Sequence, residues 1–394
     1  MTQLDIPAII KAIERQGFDA WFQQELVKAF YSARQNKLKT HDEHHFELHW
    51  MENLVRLQRT IEEYAYEPSP SVSFVIFDPM VREIFAAPFI DRVVHHFLYN
   101  MQYGWWDRRF IYDSYSCREG KGTLFGVQRA QKLMQRGTNN YHDQAYIVKL
   151  DIRGYFMSLP RAKIYARVKW GLDRQFAGFL NNPHAFRLYK TCNYLWRQTL
   201  MDDPIKKARK RGPVANWSPD ILPPAKSLYT QPPGYGIVIG NLTSQLVSNI
   251  YLDQLDRFIT MKLGYKYYGR YVDDFFFIVK KADLPQAKQD VKRIELYLRD
   301  ELHLTLHPKK RYIQPVEHGM QFLGARIYPH ALCPSDRLKT HFNAASDLVA
   351  SGQKKLDTVI SYLGIMKHLD ADKYLKHLFD SRGWDYRPSD WKHR

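Results

Sequence analysis

Cysteine is nearly absent from this 394-residue chain: Cys117, Cys192 and Cys333 are odd in number and far apart. They make neither a disulfide framework nor a zinc spacing, which fits a reducing cytoplasm and argues against a stapled secreted scaffold. No apolar run approaches the roughly 20 residues needed to cross a bilayer. The opening Met1-Thr2-Gln3-Leu4-Asp5-Ile6 has no basic n-region and no apolar h-region, so secretion is not expected. Long repeats and low-complexity segments are missing. Acidic residues are outnumbered, with 41 Asp and Glu against 58 Lys and Arg, a formal charge of +17. Such a surplus implies a polyanionic partner, nucleic acid or an acidic membrane surface. No basic amphipathic helix supports the membrane alternative, so none is expected as a partner.

What is present is a long chain, sufficient for two or three subdomains, with aromatics at 14%. Residues 6–33 read as two short amphipathic helices carrying Ile9, Ile10 and Ile13, then Trp21, Phe22, Leu26, Ala29, Phe30 and Ala33. A longer helix runs through Trp50, Leu54, Leu57 and Ile61. His45 and His49 are four apart, which could place both on one helix face, but His45-Phe46-Glu47-Leu48-His49 is not the H-E-x-x-H metal pattern. Val72, Phe74 and Ile76 predict a strand reaching Asp78-Pro79, continued by Arg82-Glu83-Ile84. The loop Ser114-Tyr115-Ser116-Cys117-Arg118-Glu119-Gly120-Lys121-Gly122-Thr123 precedes a helix and could cradle phosphate, or be an ordinary glycine-containing loop. From 187 to 233 the pattern loosens into a proline-broken insertion. Its basic run, Lys206-Lys207-Ala208-Arg209-Lys210-Arg211, reads equally as an RNA contact or a solvated loop. Asn241-Leu242-Thr243-Ser244-Gln245 opens a strong helix with Thr243 or Ser244 as N-cap. Residues 322–327 read as one strand. The tail is helical, with Leu356, Ile360, Leu363 and Met366 spaced as a bundle face.

Two stretches carry chemistry. Tyr146-Ile147-Val148-Lys149-Leu150-Asp151 reads as a buried strand ending in a carboxylate. Tyr271-Val272-Asp273-Asp274, flanked by aromatic and β-branched runs, reads as a hairpin with an acidic pair at its tip. Adjacent carboxylates repel, and alone such a tip is more often a solvated turn than a metal site. Adjacent strands could bring Asp151 to the pair and create an oxygen-rich site for two Mg²⁺ ions, with Mn²⁺ as the alternative. Two such ions suit in-line displacement at phosphorus.

These stretches, in this order and at this separation, resemble the palm motifs of reverse transcriptases. Further stretches resemble the branch found in diversity-generating retroelements of bacteria and phages. They are Arg82-Glu83-Ile84, Ala87-Pro88-Phe89-Ile90-Asp91-Arg92-Val93-Val94-His95-His96, the 114–123 loop, and Ile239-Gly240-Asn241-Leu242-Thr243-Ser244-Gln245. The last ends in Ser-Gln where group II intron and retron enzymes usually carry Ser-Pro. The resemblance covers roughly residues 45–330.

The resemblance implies an α+β right-hand polymerase with fingers, a palm built on an antiparallel sheet, a helical thumb and a helical N-terminal extension. The corresponding segments are 1–66 (extension), 67–145 (fingers), 146–330 (palm, with the insertion 187–235) and 331–394 (thumb and tail). It implies RNA-directed DNA synthesis from a template-repeat RNA, with errors at template adenines. Asp151, Asp273 and Asp274, with the Ile152 carbonyl, would hold the metals. Phe156 would be a steric gate against the ribose 2′-hydroxyl, or alternatively an ordinary core aromatic. Arg82 and Arg118 would hold the triphosphate. Lys309 or Lys310 would donate a proton to pyrophosphate, and Gln245 would lie near the nascent base pair. Implied partners are template RNA, the cDNA or primer strand, dNTPs and a small basic accessory protein, in the cytoplasm. Met80-Val81 departs from a frequent Lys-Pro and puts more weight on Arg82, and Val238 replaces a frequent proline. A nuclease domain would need on the order of 100 further residues and is not expected. The rivals are a retron-like or phage-defence reverse transcriptase and, from another class, a non-catalytic RNA-binding scaffold.

Overall fold

Residues 5–35, 40–77, 80–353 and 356–385 are described by the structure, a computed structural model. Among them are ten strands: β1 (Val72–Ile76), β2 (Arg82–Ala86), β3 (Ala145–Asp151), β4 (Arg209–Lys210), β5 (Tyr268–Tyr271), β6 (Asp274–Lys280), β7 (Tyr312–Pro315), β8 (Met320–Phe322), β9 (Ala325–Ile327) and β10 (Leu332–Pro334). They form three sheets, ordered β2-β1-β4, β5-β6-β3-β7 and β10-β9-β8, among many helices. Among the described residues no helix is long and apolar enough to cross a membrane. The chain divides into two compact units interleaved in sequence.

The first unit comprises Met1–Ile111, Arg153–Leu255 and Tyr297–Thr305. Its helices Ile6–Gln16 and Phe18–Arg34 are separated by Gly17 at φ 82°, a left-handed stop that a side chain would resist. Ile9 and Ile13 are buried, and so are Trp21, Phe22, Leu26, Ala29 and Phe30, as the periodicity predicts. Phe22 meets Phe97 edge-on with centroids 5.2 Å apart, and Phe30 stacks on Trp50 at 5.2 Å. Aromatic pairs of this kind add about 0.5–1.5 kcal/mol beyond area burial. His45 and His49 do not share a continuous helix. The helix His41–Leu48 ends before His49, which leaves helical geometry at φ −128° and ψ 35°.

One expectation fails around β1. The strand does not run on into Arg82: β1 ends at Ile76, and β2 returns antiparallel, with Phe74 opposite Ile84. Asp78 and Pro79 lie outside the described residues. Within β1, Ser73 is fully buried while Val72, Phe74 and Ile76 are half-buried. Part of the insertion covers it. β4 adds to β1 in parallel, and the Ser73 hydroxyl is 2.8 Å from the Tyr229 hydroxyl. Glu83, also fully buried, accepts from Ser227 Oγ at 2.9 Å and from the Leu228 amide at 2.5 Å. Burial raises the Glu83 pKa, and those two donors and Lys210 oppose the rise.

The 187–233 segment is therefore more ordered than its prolines suggest. A helix, Pro183–Met201, occupies its first part and buries Leu188, Cys192, Leu195 and Trp196. The basic run is partly committed within the chain. Lys207 pairs with Glu67 and Asp202, Lys210 lies over the Tyr229 ring at 4.2 Å, and Arg211 lies over Phe74 at 4.8 Å.

Asp91, on the helix Phe89–Asp107, is buried and accepts from the Tyr66 hydroxyl at 2.8 Å and the Ser69 amide at 2.9 Å. Burial outweighs these bonds and pushes its pKa up to about 6. A carboxyl with a raised folded-state pKa stabilises below its unfolded value, near 4, and that stability is lost as pH rises through about 6. Asp91→Asn should remove this dependence. The stability difference between variant and parent should shift by roughly 2–3 kcal/mol in the variant's favour between pH 4 and pH 7. Urea unfolding at the two pH values measures it, and a pH-independent difference would contradict the account.

The second unit comprises Tyr112–Ile152, Asp256–Leu296 and Leu306–Arg394. Its four-stranded sheet is antiparallel throughout. β6 is central, paired with β5 on one side and with β3 on the other, and β7 closes the far edge. Phe275, Phe276, Phe277, Ile278 and Val279 are all buried, so β6 is covered on both faces. On one face Ile147, Phe276 and Ile278 pack with Val127, Ala130, Leu133 and Met134 of the helix Thr123–Gly137. Contact is close enough that a Cβ on Gly137 would come within 2.8 Å of Ile278 Cγ2.

Residues 322–327 are not one strand. Leu323 (φ 53°) and Gly324 (φ 83°) form a two-residue left-handed turn between β8 and β9. The tail forms three helices, Asp336–Ala350, Asp357–Met366 and Asp372–Asp380. Its buried face is Val359, Leu363 and Met366, joined by Phe342, Leu375 and Phe379. Leu356 and Ile360, expected on that face, are 58% and 47% exposed. The phase of the helix is set by the neighbours it packs against, which its own spacing does not specify.

Candidate active site

β3 ends at Asp151, and its register partner across the ladder is Asp274, the first residue of β6. Between β5 and β6 only Val272 and Asp273 remain, so Asp273 sits at the hairpin tip. The Asp273 carbonyl accepts from the Ile152 amide at 3.2 Å, tying the tip to the chain just past Asp151. The residues Asp151, Asp273 and Asp274 therefore lie at one end of the sheet because two strands end there in register.

The turn is strained. Val272 has φ 55°, a left-handed conformation that a β-branched side chain resists at a cost on the order of 1–3 kcal/mol. A buried network holds it. Arg270, fully buried, donates from Nη1 to the Val272 carbonyl at 3.0 Å. The same guanidinium makes two bonds to Asp256, at 2.6 and 2.7 Å, and one to Ser114 Oγ at 3.1 Å. Tyr268 donates to Asp256 at 2.6 Å. The backbone of Arg270 bonds Asp113 and Tyr115 on the neighbouring loop. Sequence reasoning missed Arg270 and Asp256. Each reads as an ordinary surface charge, and the only available signal was a charge embedded in an otherwise apolar run.

Crowding shapes the electrostatics. Burial first, then the charges of Asp151 and Asp274, push the Asp273 pKa up to about 7. Burial also raises that of Asp274, against the pull of Lys149. Lys149 forms an ion pair with Asp274 Oδ1, and Lys310 Nζ lies 3.3 Å from Asp151 Oδ2. Of the two expected lysines, Lys310 reaches the acidic end. Lys309 is exposed, and its amide donates to His307 Nδ1. Among the described residues no three His, Cys, Asp or Glu side chains are gathered to hold a metal ion. By chemical type alone, these donors are hard oxygens of the kind a divalent cation takes. Carboxylate oxygens predominate, and their mutual repulsion is what a cation would relieve.

Arg118 belongs to this unit. It donates to the Ser114 carbonyl at 3.0 Å, and Lys121 bonds the Tyr112 carbonyl while lying 4.4 Å from the Tyr112 ring centre. The helix Thr123–Gly137 starts after Gly122 (φ 124°) with no side-chain cap. The loop is thus built partly on its own backbone.

Three predicted residues lie in the first unit. Phe156, in the short helix Tyr155–Ser158, is half-buried, its ring centre 5.4 Å from that of Tyr155. Its carbonyl accepts from the Ile237 amide at 2.9 Å. Arg82 is exposed, and among the described residues its guanidinium contacts Met80 sulfur at 3.6 Å. Gln245 is exposed in the first turn of the helix Leu242–Arg257. That helix begins at Leu242, so Thr243 and Ser244 lie inside it and neither is the N-cap. Thr243 Oγ1 instead lies 3.0 Å from His95 Nδ1. The approach is tight: a Cβ on Gly240 would come within 2.9 Å of the Phe85 carbonyl oxygen, and Phe85 N donates to Ile239 O.

No protein-family model matches the chain, and no curated protein matches it.

Proposed function

We propose that this chain is an RNA-directed DNA polymerase, and that it serves a diversity-generating retroelement by copying a template-repeat RNA with errors at adenine. The observation that supports the reading most is the in-register pairing of Asp151 with Asp274 beside the Asp273 tip. Asp151, Asp273 and Asp274, with the Ile152 carbonyl, would hold two Mg²⁺ ions. When bound, these would supply Lewis-acid stabilisation of charge at the transferred phosphoryl group. The chain's own residues have separate tasks. Arg270 holds the tip in its strained form, and Lys149 and Lys310 balance Asp274 and Asp151. Lys310, 3.3 Å from Asp151, is proposed to protonate a departing pyrophosphate. Arg118 and Arg82 are proposed to bind triphosphate oxygens, and Gln245 to contact the nascent pair.

The direct test is single-turnover incorporation of a dNTP on a primed RNA template by the purified protein. Absence of incorporation with Mg²⁺ or Mn²⁺ would favour a non-catalytic RNA-binding scaffold. Phe156 is proposed to exclude the ribose 2′-hydroxyl. Phe156→Ala should then raise rNTP incorporation relative to dNTP by about 10- to 100-fold, the range of one steric contact worth 1–3 kcal/mol. An unchanged ratio would leave Phe156 as a packing residue. Sequencing the cDNA from a defined template tests the adenine errors.

A further inference from the structure

We propose that the second unit carries a separate binding groove for a single-stranded RNA segment, at the end of its sheet away from the acidic tip. The inference rests on the RNA-directed reading above. The groove has a volume of about 660 Å³, and Arg129, Arg136, Lys266, Asn139, Asn140 and Tyr267 are among the residues lining it. No carboxylate lines it. Arg129 is neutralised by Asp113, bonded at 2.6 and 3.1 Å. Arg136 and Lys266 are exposed and have no carboxylate partner among the described residues. On the helix Thr123–Gly137, Lys132 and Arg136 are four apart, so the positive charge extends along one helix face beyond the neutralised Arg129.

Asn139 and Asn140, which line the groove, lie in a turn of unusual backbone. Asn139, Asn140 and Tyr141 lie consecutively in the left-handed region, at φ 49°, 56° and 69°. They are held by bonds from the Asn140 amide to the Gln135 carbonyl and from the Tyr141 amide to Thr138 Oγ1. Gln135 Nε2 donates to Asn140 Oδ1 at 2.8 Å, and the half-buried Tyr267 lines the same groove. Lys266 and Tyr267 immediately precede β5, whose four residues span roughly 10 Å, and Asp273 lies beyond its other end.

Guanidinium, ammonium, side-chain amides and one aromatic face together match a nucleic acid strand: charge for phosphates, amides for base edges, a ring for stacking. The apolar part of the lining comes from the Tyr267 ring, the stems of the long polar side chains and the buried Leu133, so the groove offers a stacking face but no exposed aliphatic anchor for an acidic protein segment.

The test measures binding of a short labelled single-stranded RNA to the full chain across a salt series, without nucleotides. Arg136→Glu/Lys266→Glu should weaken binding at low salt. It should also make the log–log salt slope shallower by roughly 1.4, the loss of two single-strand phosphate contacts at about 0.7 each. Ultraviolet crosslinking to the wild type should place RNA on the peptide containing Tyr267, and the double variant should lose that adduct. Primer extension on a short template should be unchanged. Arg136→Gln/Lys266→Gln, a milder pair, covers the case in which charge reversal impairs folding. An unchanged slope with no Tyr267 adduct overturns the proposal. So does displacement by poly-glutamate of a ligand whose RNA slope the variant leaves intact, which would make the groove a protein site. If the wild type fails to extend any primer, the polymerase reading falls while the slope comparison still decides the groove.

Discussion

Asp273→Asn should reduce primer extension by about 10³-fold or more while the protein stays folded. The magnitude follows from losing a ligand at the site of charge stabilisation, worth several kcal/mol of barrier. Asparagine keeps the size of the side chain and one oxygen but removes the charge. Folding should not suffer, because Asp273 is one of three carboxylates crowded at the sheet end and its charge is opposed by burial and by Asp151 and Asp274. Removing one member relieves repulsion. The thermal midpoint at pH 8 should therefore be equal to or above that of the parent. Extension assays and thermal melts on the same preparation check both halves. Retained extension by pure, folded Asp273→Asn protein would end the polymerase assignment. A large fall in stability would show instead that the carboxylate is a structural acceptor.

Arg270→Met should cost about 3–5 kcal/mol of stability, the usual penalty for leaving a buried charge without its partner. Arg270 and Asp256 are both fully buried, and they bond each other through two atoms. Removing the guanidinium leaves Asp256 with Tyr268 as its remaining hydrogen-bond donor among those described above, and leaves the Val272 carbonyl without this one. A second variant separates positioning from folding. Arg270→Met/Asp256→Leu/Tyr268→Phe replaces the network with apolar groups, which is often neutral or stabilising. Its urea midpoint should recover much of the loss. Its primer extension should stay low, because Val272 at φ 55° is then no longer held and Asp273 shifts with it. Recovery of both stability and extension would reduce Arg270 to a folding residue.

Much of the acidic end was legible in the chain itself. The run from Phe275 to Val279 is aromatic and β-branched, and it could hardly be anything but a buried strand. Asp151 closes a second such run. That the two runs pair so that Asp151 faces Asp274 is a matter of register, which a strand's own residues leave open until a partner and a turn length are supplied. The turn here is two residues long, which sets the β5–β6 register and places Asp273 at the tip.

Other features were illegible for specific reasons. Leu356 and Ile360 have the spacing of a buried face, yet Val359 is the residue that docks against the other tail helices. Ser73 looks like the solvent side of a strand until Tyr229, far along the chain, covers it. The insertion looks loose because its prolines interrupt every local pattern, although Glu83 and β1 bind it from outside.

Where the acidic strand ends lie, the helical character of both ends of the described chain and the net positive charge follow from the residues read stretch by stretch. Those properties are local or additive, carried by alternation, composition and turn residues. Only tertiary structure decided that Arg270 and Asp256 form one buried pair, that Lys310 rather than Lys309 reaches Asp151, and that Arg136 and Lys266 line one groove. Each of these depends on residues distant in sequence meeting across packed elements. Register, helix rotation and desolvation arise in that packing, so one-dimensional patterns do not contain them.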